Sequence, residues 1–525
     1  MTVERDEKVT RLAGPVKKGL GHLLFSRLFL IVALLLLQVA VFACLYLWAA
    51  SKHPALLSLH MIFSIVMIVY LFNDEMDASA KLSWMLVMSI VPMTGAMLLL
   101  FTKSNAGHRR LTKKVRKQLD HTREALDQDP GLLEELSRDG EGTDDLRRYL
   151  NRSGCFPIYD KTRVTYFPLG EKMFEAMVEE LERAEKFIFL EYFIITEGYM
   201  WGRILDILIR KAKEGVDVRV MYDGMCEAFS LPDGYWKLLE KQGIHARSFS
   251  PIMPIVSSHY NYRDHRKILV IDGRTAFNGG VNLADEYINR IERFGHWKDT
   301  AVMLKGPAVK SFTLMFLQMW NLEEEDPAYA AFLSVPDYEA ADAKGYVMPY
   351  ADSPLDQYKA GEAVYTDILN RATEYVHIMT PYLILDGELE AALRFAALRG
   401  VDVRLILPGI PDKKVAYALA KTHYRHLHEA GVRIYEYTPG FIHAKVFVSD
   451  NEKAVVGTIN LDYRSLYHHF ECATYLYRTD CIPQIEEDFQ KTLAHCTEVT
   501  AQTIKNEKLS YRLTGELLKW LAPLM

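Results

Sequence analysis

Two stretches of this 525-residue chain carry the same three residue types at the same spacing. In each, a lysine follows a histidine by two positions and an aspartate follows it by seven, with an apolar run between lysine and aspartate. The triplets are His265, Lys267 and Asp272 in HRKILVID, and His443, Lys445 and Asp450 in HAKVFVSD. An imidazole can attack phosphorus or move a proton, and an ammonium group can bear the charge of phosphate oxygens. The repeated triplet therefore predicts phosphoryl transfer, with one imidazole as nucleophile and the other as general acid and base.

A short glycine turn ending in asparagine follows each triplet. The turns are GGVN, with Gly280 and Asn282, and GTIN, with Thr458 and Asn460. Small residues let a phosphate approach the backbone closely, and asparagine supplies a neutral donor, so these four residues are candidate substrate ligands. Gly280 offers no hydroxyl, which predicts that the two half-sites differ. No acidic cluster suited to Mg²⁺ or Ca²⁺ accompanies the triplets, so neither a metal nor another cofactor is expected.

The triplets lie in a pattern of strands and helices that occurs twice. In a strand, residues i and i+2 face the same side, so histidine and lysine point together while the apolar run continues into a sheet. Upstream, GVDVRVMYDG at 215–224 has a counterpart in GVDVRLILPG at 400–409. Short apolar strands alternating with helices predict an α/β sandwich with largely parallel sheets. We expect two duplicated halves, 156–333 and 346–500, joined by a linker at 334–345 and packed about a pseudo-twofold axis that brings both triplets into one pocket.

The N-terminal region, 1–105, predicts membrane helices. Its apolar stretches are 28–50, 55–72 and 82–101, and a bilayer takes about 20 residues to span. Basic residues flank this region on both sides, so three full crossings conflict with the preference of such flanks for the cytoplasm. Either one stretch is re-entrant or interfacial, or the charge preference fails at the N-terminus. The basic run after Phe101 favours a cytoplasmic catalytic region and would also attract anionic lipid headgroups.

Two further segments and the overall composition complete the prediction. A connector at 106–155 links the membrane region to the first half, and the tail at 501–525 is amphipathic, able to lie on a bilayer or to dock on the protein core. With 62 basic and 68 acidic residues the net charge is −6, which argues against a general nucleic-acid binder. The six cysteines are scattered with no CxxC pair, so neither a disulfide framework nor a zinc site is indicated.

Taken together, these motifs make the sequence similar to a known family. The two HxKxxxxD triplets resemble the phospholipase D superfamily, and KLSWMLVMSIVPMTG, FGHWKDTAV, PDKKVAYALAKTHYRHL and GTINLDYRSLYHHFEC resemble, within it, the bacterial cardiolipin synthases. The resemblance implies a phosphatidyltransferase of the bacterial plasma membrane. It would convert two phosphatidylglycerol molecules into cardiolipin and glycerol through a phosphatidyl-histidine intermediate.

The resemblance also implies roles for individual residues. His265 would be the nucleophile and His443 the general acid and base, with the reverse assignment left open. The phosphate ligands would be Lys267, Lys445, Asn282 and Asn460. Asp272 and Asp450 would hold the site together through ion pairs, and Glu471 and Asp299 would each orient a catalytic imidazole. His469 departs from the pattern, because the wider superfamily frequently has asparagine there.

The main alternative is a phospholipase D-type hydrolase, in which water accepts the phosphatidyl group and phosphatidic acid is released. The triplets alone do not separate the two, because the reactions differ only in the attacking hydroxyl. A nuclease is disfavoured by the apolar N-terminus and the net charge, and a non-enzymatic scaffold by the two intact triplets. Membrane phospholipids are the expected partners, and the sequence leaves the oligomeric state open.

Overall fold

The computed structural model describes residues 9–13, 40–41, 44, 48, 54–90, 92–103, 109–139, 142–250, 262–324, 329–334, 340 and 342–524. The first candidate span, 28–50, lies outside these residues except at positions 40, 41, 44 and 48, and part of the linker at 334–345 also lies outside them.

Three N-terminal helices pack around a small core of their own. They are α1 (Pro54–Phe72), α2 (Ala78–Ile90) and α3 (Pro92–Lys103). The core residues are Met67, Leu71, Trp84, Met88, Ala96 and Leu99. Within the part of the chain that the structure describes, no helix has both the length and the apolar character needed to cross a membrane.

The third candidate span, 82–101, is two helices rather than one. Proline at 92 begins α3, where its missing N–H is tolerated and its ring restricts the residue before it. A Cβ added to Gly95 would lie 3.0 Å from the Cα of Met88. Residues seven apart in one continuous helix would be separated by about 10 Å along its axis. The two helices therefore fold back on each other, and the expectation of one continuous helix over 82–101 is wrong.

Each half of the remaining chain forms one sheet, and the strand order repeats. The first sheet has the order β1-β9-β7-β6-β2-β3-β4 and the second the order β10-β17-β16-β15-β11-β12-β13-β18. The strands of the first are β1 (Arg163–Phe167), β2 (Phe187–Tyr192), β3 (Asp217–Asp223), β4 (His245–Phe249), β6 (Lys267–Ile271), β7 (Thr275–Gly279) and β9 (Ala301–Lys305). Those of the second are β10 (Tyr346–Asp352), β11 (Tyr375–Met379), β12 (Asp402–Pro408), β13 (Arg433–Tyr437), β15 (Val446–Ser449), β16 (Lys453–Gly457), β17 (His469–Tyr477) and β18 (Cys496–Glu498).

Helices connect these strands and follow them. They are α4 (Arg109–His121), α5 (Pro130–Asp139), α6 (Thr143–Gly154), α7 (Gly170–Glu182), α8 (Tyr199–Lys213), α9 (Met225–Phe229), α10 (Tyr235–Glu240), α11 (Val309–Trp320), α12 (Ala330–Leu333), α13 (Ala360–Arg371), α14 (Gly387–Leu398), α15 (Lys414–Glu429), α16 (Tyr463–Tyr467), α17 (Ile482–Leu493), α18 (Ala501–Lys505) and α19 (Leu509–Lys519). The expected α/β class is confirmed.

The sheets are mixed, so the expectation of largely parallel sheets is wrong. In the first sheet β2, β3 and β4 run parallel, whereas β6, β7, β9 and β1 pair antiparallel. The second sheet repeats this, with β11, β12 and β13 parallel and β15, β16, β17 and β10 antiparallel. The reason is that each triplet strand returns through a tight hairpin instead of a helix.

The aspartate of each triplet starts that hairpin turn. Asp272 and Gly273 have φ of 55° and 68°, and the N–H of Arg274 donates to the carbonyl of Ile271. Asp450 and Asn451 have φ of 54° and 53°, and the second turn closes in the same way. Positive φ at both central residues is the type I′ geometry, which aspartate, asparagine and glycine tolerate best.

Two short parallel pairings join the halves. β5 (Arg263–Asp264), just before the first triplet, pairs with the start of β17. β14 (Gly440–Ile442), just before the second triplet, pairs with β8 (His296–Lys298). The two halves therefore contact each other at the residues that immediately precede His265 and His443 in the chain.

Candidate active site

Each candidate histidine is anchored by the opposite half. The backbone N–H of His265 donates to the carbonyl of Phe470 at 2.9 Å, and that of His443 donates to the carbonyl of Lys298 at 2.7 Å. These bonds continue the two joining pairings by one residue. The structure therefore brings both triplets to one joint, as the duplicated sequence pattern predicts.

A carboxylate from the opposite half contacts each imidazole. His265 Nδ1 lies 2.9 Å from Glu471 Oε2, and His443 Nδ1 lies 2.7 Å from Asp299 Oδ2. A carboxylate can only accept, so Nδ1 of His265 carries the proton and its Nε2 keeps a lone pair. The contact with Asp299 favours the same tautomer for His443, whose Nδ1 also lies 2.9 Å from Lys445 Nζ. The structure thus places Glu471 and Asp299 where a residue that orients an imidazole must be.

Burial sets the charge state of this centre. It lowers the pKa of His265 well below its ordinary value, against the raising effect of Glu471, and lowers the pKa of His443 to about 4, with Lys445 adding to the effect. Burial acts to raise the pKa of both carboxyls, but the neighbouring imidazoles outweigh it, so the pKa values of Glu471 and Asp299 lie below their ordinary range. At neutral pH the site therefore holds two neutral imidazoles on two ionised carboxylates.

The two lysines lie in the same buried centre. Lys267 Nζ donates to the carbonyl of His265 at 2.6 Å, and Lys445 Nζ donates to the carbonyl of His443. Burial lowers the pKa of Lys267 to about 8 and that of Lys445 to about 7. The charge of Lys267 also lowers the pKa values of both His443 and Lys445, as expected for groups that share one site. A phosphate placed between them would restore their full charge.

The two glycine turns differ because the two carboxylates differ. A Cβ at Gly280 would lie 2.1 Å from Asp299 Oδ1, so this carboxylate occupies the space that a side chain would need. In the other half the Thr458 hydroxyl donates to Glu471 Oε2 and accepts the N–H of Cys472 at 3.0 Å. Thr458 therefore supports the carboxylate, a role that the sequence did not predict for it.

The two candidate phosphate-binding asparagines also differ. Asn282 accepts the N–H of Ile194 at 3.0 Å and donates to the hydroxyl of Tyr287 at 2.8 Å. Asn460 is buried, and its Oδ1 has no hydrogen-bond partner among the described residues. Asn460 is therefore the more available of the two for a ligand.

The triplet aspartates stand apart from the chemistry. Asp272 accepts the N–H groups of Glu185, Lys186 and Phe187 at 2.7–2.9 Å, which fixes the start of β2. Asp450 does the same at the start of β11, with the N–H groups of Thr373, Glu374 and Tyr375 at 2.8–3.0 Å. These backbone contacts replace the expected ion pairs. Each aspartate follows its lysine by five positions along the strand, so the carboxylates lie about 16 Å from the lysine end.

Aromatic rings complete the site, and sequence reasoning gave them no role. Trp297, Tyr287 and Phe441 have ring centroids 5.5, 5.4 and 5.9 Å from that of His443. Next to His265 stand Phe193 at 4.9 Å and a third imidazole, His469, at 5.3 Å. Only the departure from the family's asparagine drew attention to His469 in the sequence.

One group of side chains at the two histidines has the composition of a metal site. His265, His469 and Glu471 offer ligand atoms that lie within 4.8 Å of one another. The two buried lysines, Lys267 and Lys445, interact electrostatically with Glu471 of this group. Their positive charges disfavour a divalent cation here and favour an anion. The donor set therefore fits a phosphate better than a metal ion.

Comparison with known proteins identifies the family. The family described as "Cardiolipin synthase, PLD-like domain" matches residues 177–320 and 365–493. The chain belongs to this family. The resemblance inferred from the triplets is thereby confirmed, and with it the class of enzyme, a phosphatidyltransferase.

Relatives and a solved structure agree with this membership. An uncharacterized protein of Streptococcus mutans is 58% identical over 87% of the chain and 99% of its own length. A cardiolipin synthase of Alkalihalophilus pseudofirmus is 32% identical over 92% of the chain and 97% of its length, and cardiolipin synthase 2 of Bacillus anthracis is 34% identical over 87% and 88%. The crystal structure of phosphatidylserine synthase from Haemophilus influenzae aligns with a TM-score of 0.54 at 16% identity, covering 69% of this chain and 93% of that one, so it shares the fold.

Proposed function

We propose that the protein transfers a phosphatidyl group from one phosphatidylglycerol to another and so produces cardiolipin and glycerol. The observation that carries the proposal is the pair of neutral imidazoles at one joint, each held at Nδ1 by a carboxylate of the opposite half. We infer that the two Nε2 atoms and the two lysines act on a single phosphodiester.

In the first step His265 Nε2 attacks phosphorus and the bond from phosphorus to the glycerol oxygen breaks. His443, protonated when the anionic substrate is bound, gives its Nε2 proton to the leaving alkoxide, and glycerol departs. Lys267 and Lys445 bear the charge on the non-bridging oxygens. The product of this step is a phosphatidyl-histidine.

In the second step a primary hydroxyl of another phosphatidylglycerol replaces the glycerol. His443 removes its proton, the oxygen attacks phosphorus, and the phosphorus–nitrogen bond to His265 breaks. Cardiolipin leaves with both histidines in their starting protonation states. The roles of His265 and His443 could be exchanged without altering this balance.

Burial of the site favours an alcohol over water as acceptor. The two histidines retain only 6% and 7% of their exposure. Excluding water protects the covalent intermediate from hydrolysis until a second lipid arrives. This supports the transferase over the hydrolase that releases phosphatidic acid.

The N-terminal region supports association with the bacterial plasma membrane. Large apolar side chains of α1 and α2 face outward, among them Ile62, Ile65, Val66, Val69, Phe72 and Leu82. Helix α4, which follows these N-terminal helices, is strongly basic and would be drawn to anionic headgroups on the cytoplasmic side. We infer that the N-terminal region anchors the protein in the plasma membrane, with 28–50 as the candidate crossing stretch, 55–72 and 82–101 re-entrant or interfacial, and the basic run of α4 on the cytoplasmic side.

The test is a lipid-product assay on the purified full-length protein. Given phosphatidylglycerol and no added metal, it should form cardiolipin and glycerol in equal amounts, and a chelator should leave the rate unchanged. The variant His265→Ala should form neither product. Release of phosphatidic acid as the main product would instead establish the hydrolase.

A further inference from the structure

The C-terminal helix presents an apolar stripe that the protein core does not cover. Leu509, Leu513 and Leu517 recur every four residues, so they lie along one face of α19, and they are 68%, 51% and 67% exposed. The opposite face is packed, because a Cβ at Gly515 would lie 2.4 Å from the carbonyl oxygen of Ala418 in α15. The tail therefore docks on the core and keeps a second apolar face outward.

Basic residues border this stripe. Lys505, Lys508, Arg512 and Lys519 are exposed, against Glu507 and Glu516 in the same segment. A cavity of 410 Å³ opens beside the helix, and its lining includes Lys505 and Arg512 together with Glu507 and Glu516. Lys421 and Arg425, also in the lining, are paired with Glu507 and Glu429. Exposed leucines beside a cationic rim are typical of a helix that lies in the headgroup layer of an anionic bilayer.

The tail that carries the stripe contacts the apolar N-terminal helices. Ser83 of α2 donates to the backbone carbonyl of Trp520, the residue after α19. Leu518 and Ala522 pack against Tyr463, whose hydroxyl also bonds Ser79. The N-terminal helices and the C-terminal tail thus form one surface, which rests on the segment between Asn460 and His469.

We propose that α19 is a second bilayer contact, which lies in the headgroup layer of an anionic membrane. This rests on the proposed function for the identity of the membrane lipids. The occupant is an anionic lipid surface, because four exposed cations outnumber the two glutamates along the tail and the apolar N-terminal helices adjoin it.

Amide hydrogen exchange tests this contact without any need for turnover. The full-length protein is placed in phosphatidylglycerol-containing nanodiscs and in nanodiscs of neutral phosphatidylcholine. Exchange over 505–521 should slow at least fivefold in the anionic discs, and the triple variant Leu509→Gln, Leu513→Gln, Leu517→Gln should lose this protection. Equal exchange in both discs, or protection that instead rises with protein concentration in detergent, would overturn the proposal, the latter in favour of a second copy.

Activity gives the second readout. The triple variant should form cardiolipin from vesicles at least tenfold more slowly, and from short-chain, monomeric phosphatidylglycerol at an unchanged rate. The control variant Gln502→Ala, Asn506→Ala changes an exposed pair on the preceding helix, and it should match the wild type with both substrates. An equal loss on both substrates would overturn the proposal. If the wild type shows slowed exchange over 505–521 in anionic nanodiscs but makes no cardiolipin, only the proposed function is refuted.

A separate observation concerns His469. Its side chain is buried, and neither ring nitrogen has a hydrogen-bond partner among the described residues. Its Nδ1 lies 3.6 Å from Glu471 Oε1, which is also without a partner there. His469 precedes the carbonyl that anchors His265, as Trp297 precedes the carbonyl that anchors His443, so the two positions are equivalent. The indole of Trp297 offers only a donor, whereas the imidazole of His469 offers a donor and an acceptor.

We infer that His469 positions a hydroxyl of the glycerol headgroup beside His265. A neutral imidazole offers one donor and one acceptor, and a hydroxyl can donate to Glu471 Oε1 while accepting from the ring. Such a ligand would satisfy groups that are otherwise buried without partners. This deepens the proposed function by assigning a residue that selects a polyol headgroup.

Binding of two small anions tests the assignment apart from catalysis. In calorimetric titration, His469→Phe should weaken the binding of glycerol 1-phosphate at least tenfold and that of inorganic phosphate less than threefold. The variant His469→Asn should retain part of the preference for glycerol 1-phosphate over phosphate. The control Trp297→Phe should leave the ratio of the two affinities unchanged. A parallel loss of both ligands in His469→Phe and His469→Asn would refute the role. A preserved preference for glycerol 1-phosphate in a wild type that makes no cardiolipin would refute only the proposed function.

Discussion

At the scale of single residues, the site is organised by carboxylates that reach across the joint between halves. Glu471 holds His265 and Asp299 holds His443, and each carboxylate has one additional donor, Thr458 or the N–H of Thr300. An imidazole held at Nδ1 is fixed in the tautomer whose Nε2 can attack phosphorus or take up a proton. The chemistry of each half therefore depends on a residue of the other.

Replacing Glu471 by glutamine should lower kcat by about 10²- to 10⁴-fold, because an amide can favour the wrong tautomer of His265, as in other histidine–carboxylate pairs. The measurement is the initial rate of cardiolipin formation in mixed micelles at saturating phosphatidylglycerol. The variant Thr458→Val, which removes a hydrogen bond to Glu471 but keeps the carboxylate, should lose much less. A rate for Glu471→Gln within threefold of the wild type would show that the contact is not needed.

The pH dependence of kcat/KM should show the lysines on its alkaline side. Burial lowers the pKa of Lys445 to about 7 and that of Lys267 to about 8, so the free enzyme loses cationic charge as the pH rises through 7 to 8. Burial lowers the pKa of the nucleophile His265 well below its ordinary value, so the acid limb should lie at low pH. We expect kcat/KM to fall above pH 7 and, in Lys445→Arg, this fall to move to higher pH. An alkaline limb near pH 10 would contradict the lowered lysine pKa values.

At the scale of elements, each triplet consists of a strand that positions the catalytic candidates and a turn that stabilises the fold. Histidine and lysine stand at one end of the strand, and the aspartate forms the type I′ turn at the other. Asp272 and Asp450 each accept hydrogen bonds from three backbone N–H groups. These bonds hold the start of the neighbouring parallel strand against the hairpin.

Replacing Asp272 by alanine should therefore affect stability more than catalysis. Losing three hydrogen bonds to a buried carboxylate should cost about 2–4 kcal/mol, and the thermal midpoint should fall by several degrees. Asp450 is less buried, so Asp450→Ala should shift the midpoint less. The measurement pairs thermal unfolding with kcat per folded enzyme, which should stay within threefold. An unchanged midpoint with kcat reduced a hundredfold would instead place these aspartates in the chemistry.

Sequence reasoning succeeded where the signal is local. The spacing of His265 and Lys267 places both on one face of a strand, and the repeated order of elements indicates two similar halves. It failed to predict that the sheets are mixed, because Asp272-Gly273 at the end of the first triplet was not recognised as a hairpin turn. It also could not predict that β5 pairs with β17, since such a pairing joins residues about 200 positions apart and leaves no local pattern. His469 gained its surroundings from that pairing, and Trp297 from the matching pairing of β8 with β14, while Thr458 contacts Glu471 of its own half.

At the scale of the whole molecule, function depends on how the two halves meet. The joint has cross-half contacts besides those to the histidines. Lys298 donates to Asp488 at 2.7 Å, and the Tyr166 hydroxyl donates to the same carboxylate. Around this joint, the apolar helices of the N-terminus and the tail of the C-terminus meet beside the segment that leads to His469. We propose that a bilayer lipid reaches the buried site from this surface.

The central claim is that the two imidazoles act on one phosphorus in different roles, and a substrate with a good leaving group tests it most directly. Phosphatidyl-p-nitrophenol needs no acid to leave, so His443→Ala should release about one nitrophenol per enzyme and then stall with the phosphatidyl group on the peptide that contains His265. His265→Ala should release none. The opposite pattern would exchange the two roles, whereas steady turnover by both variants, or a stalled burst with neither, would contradict the account.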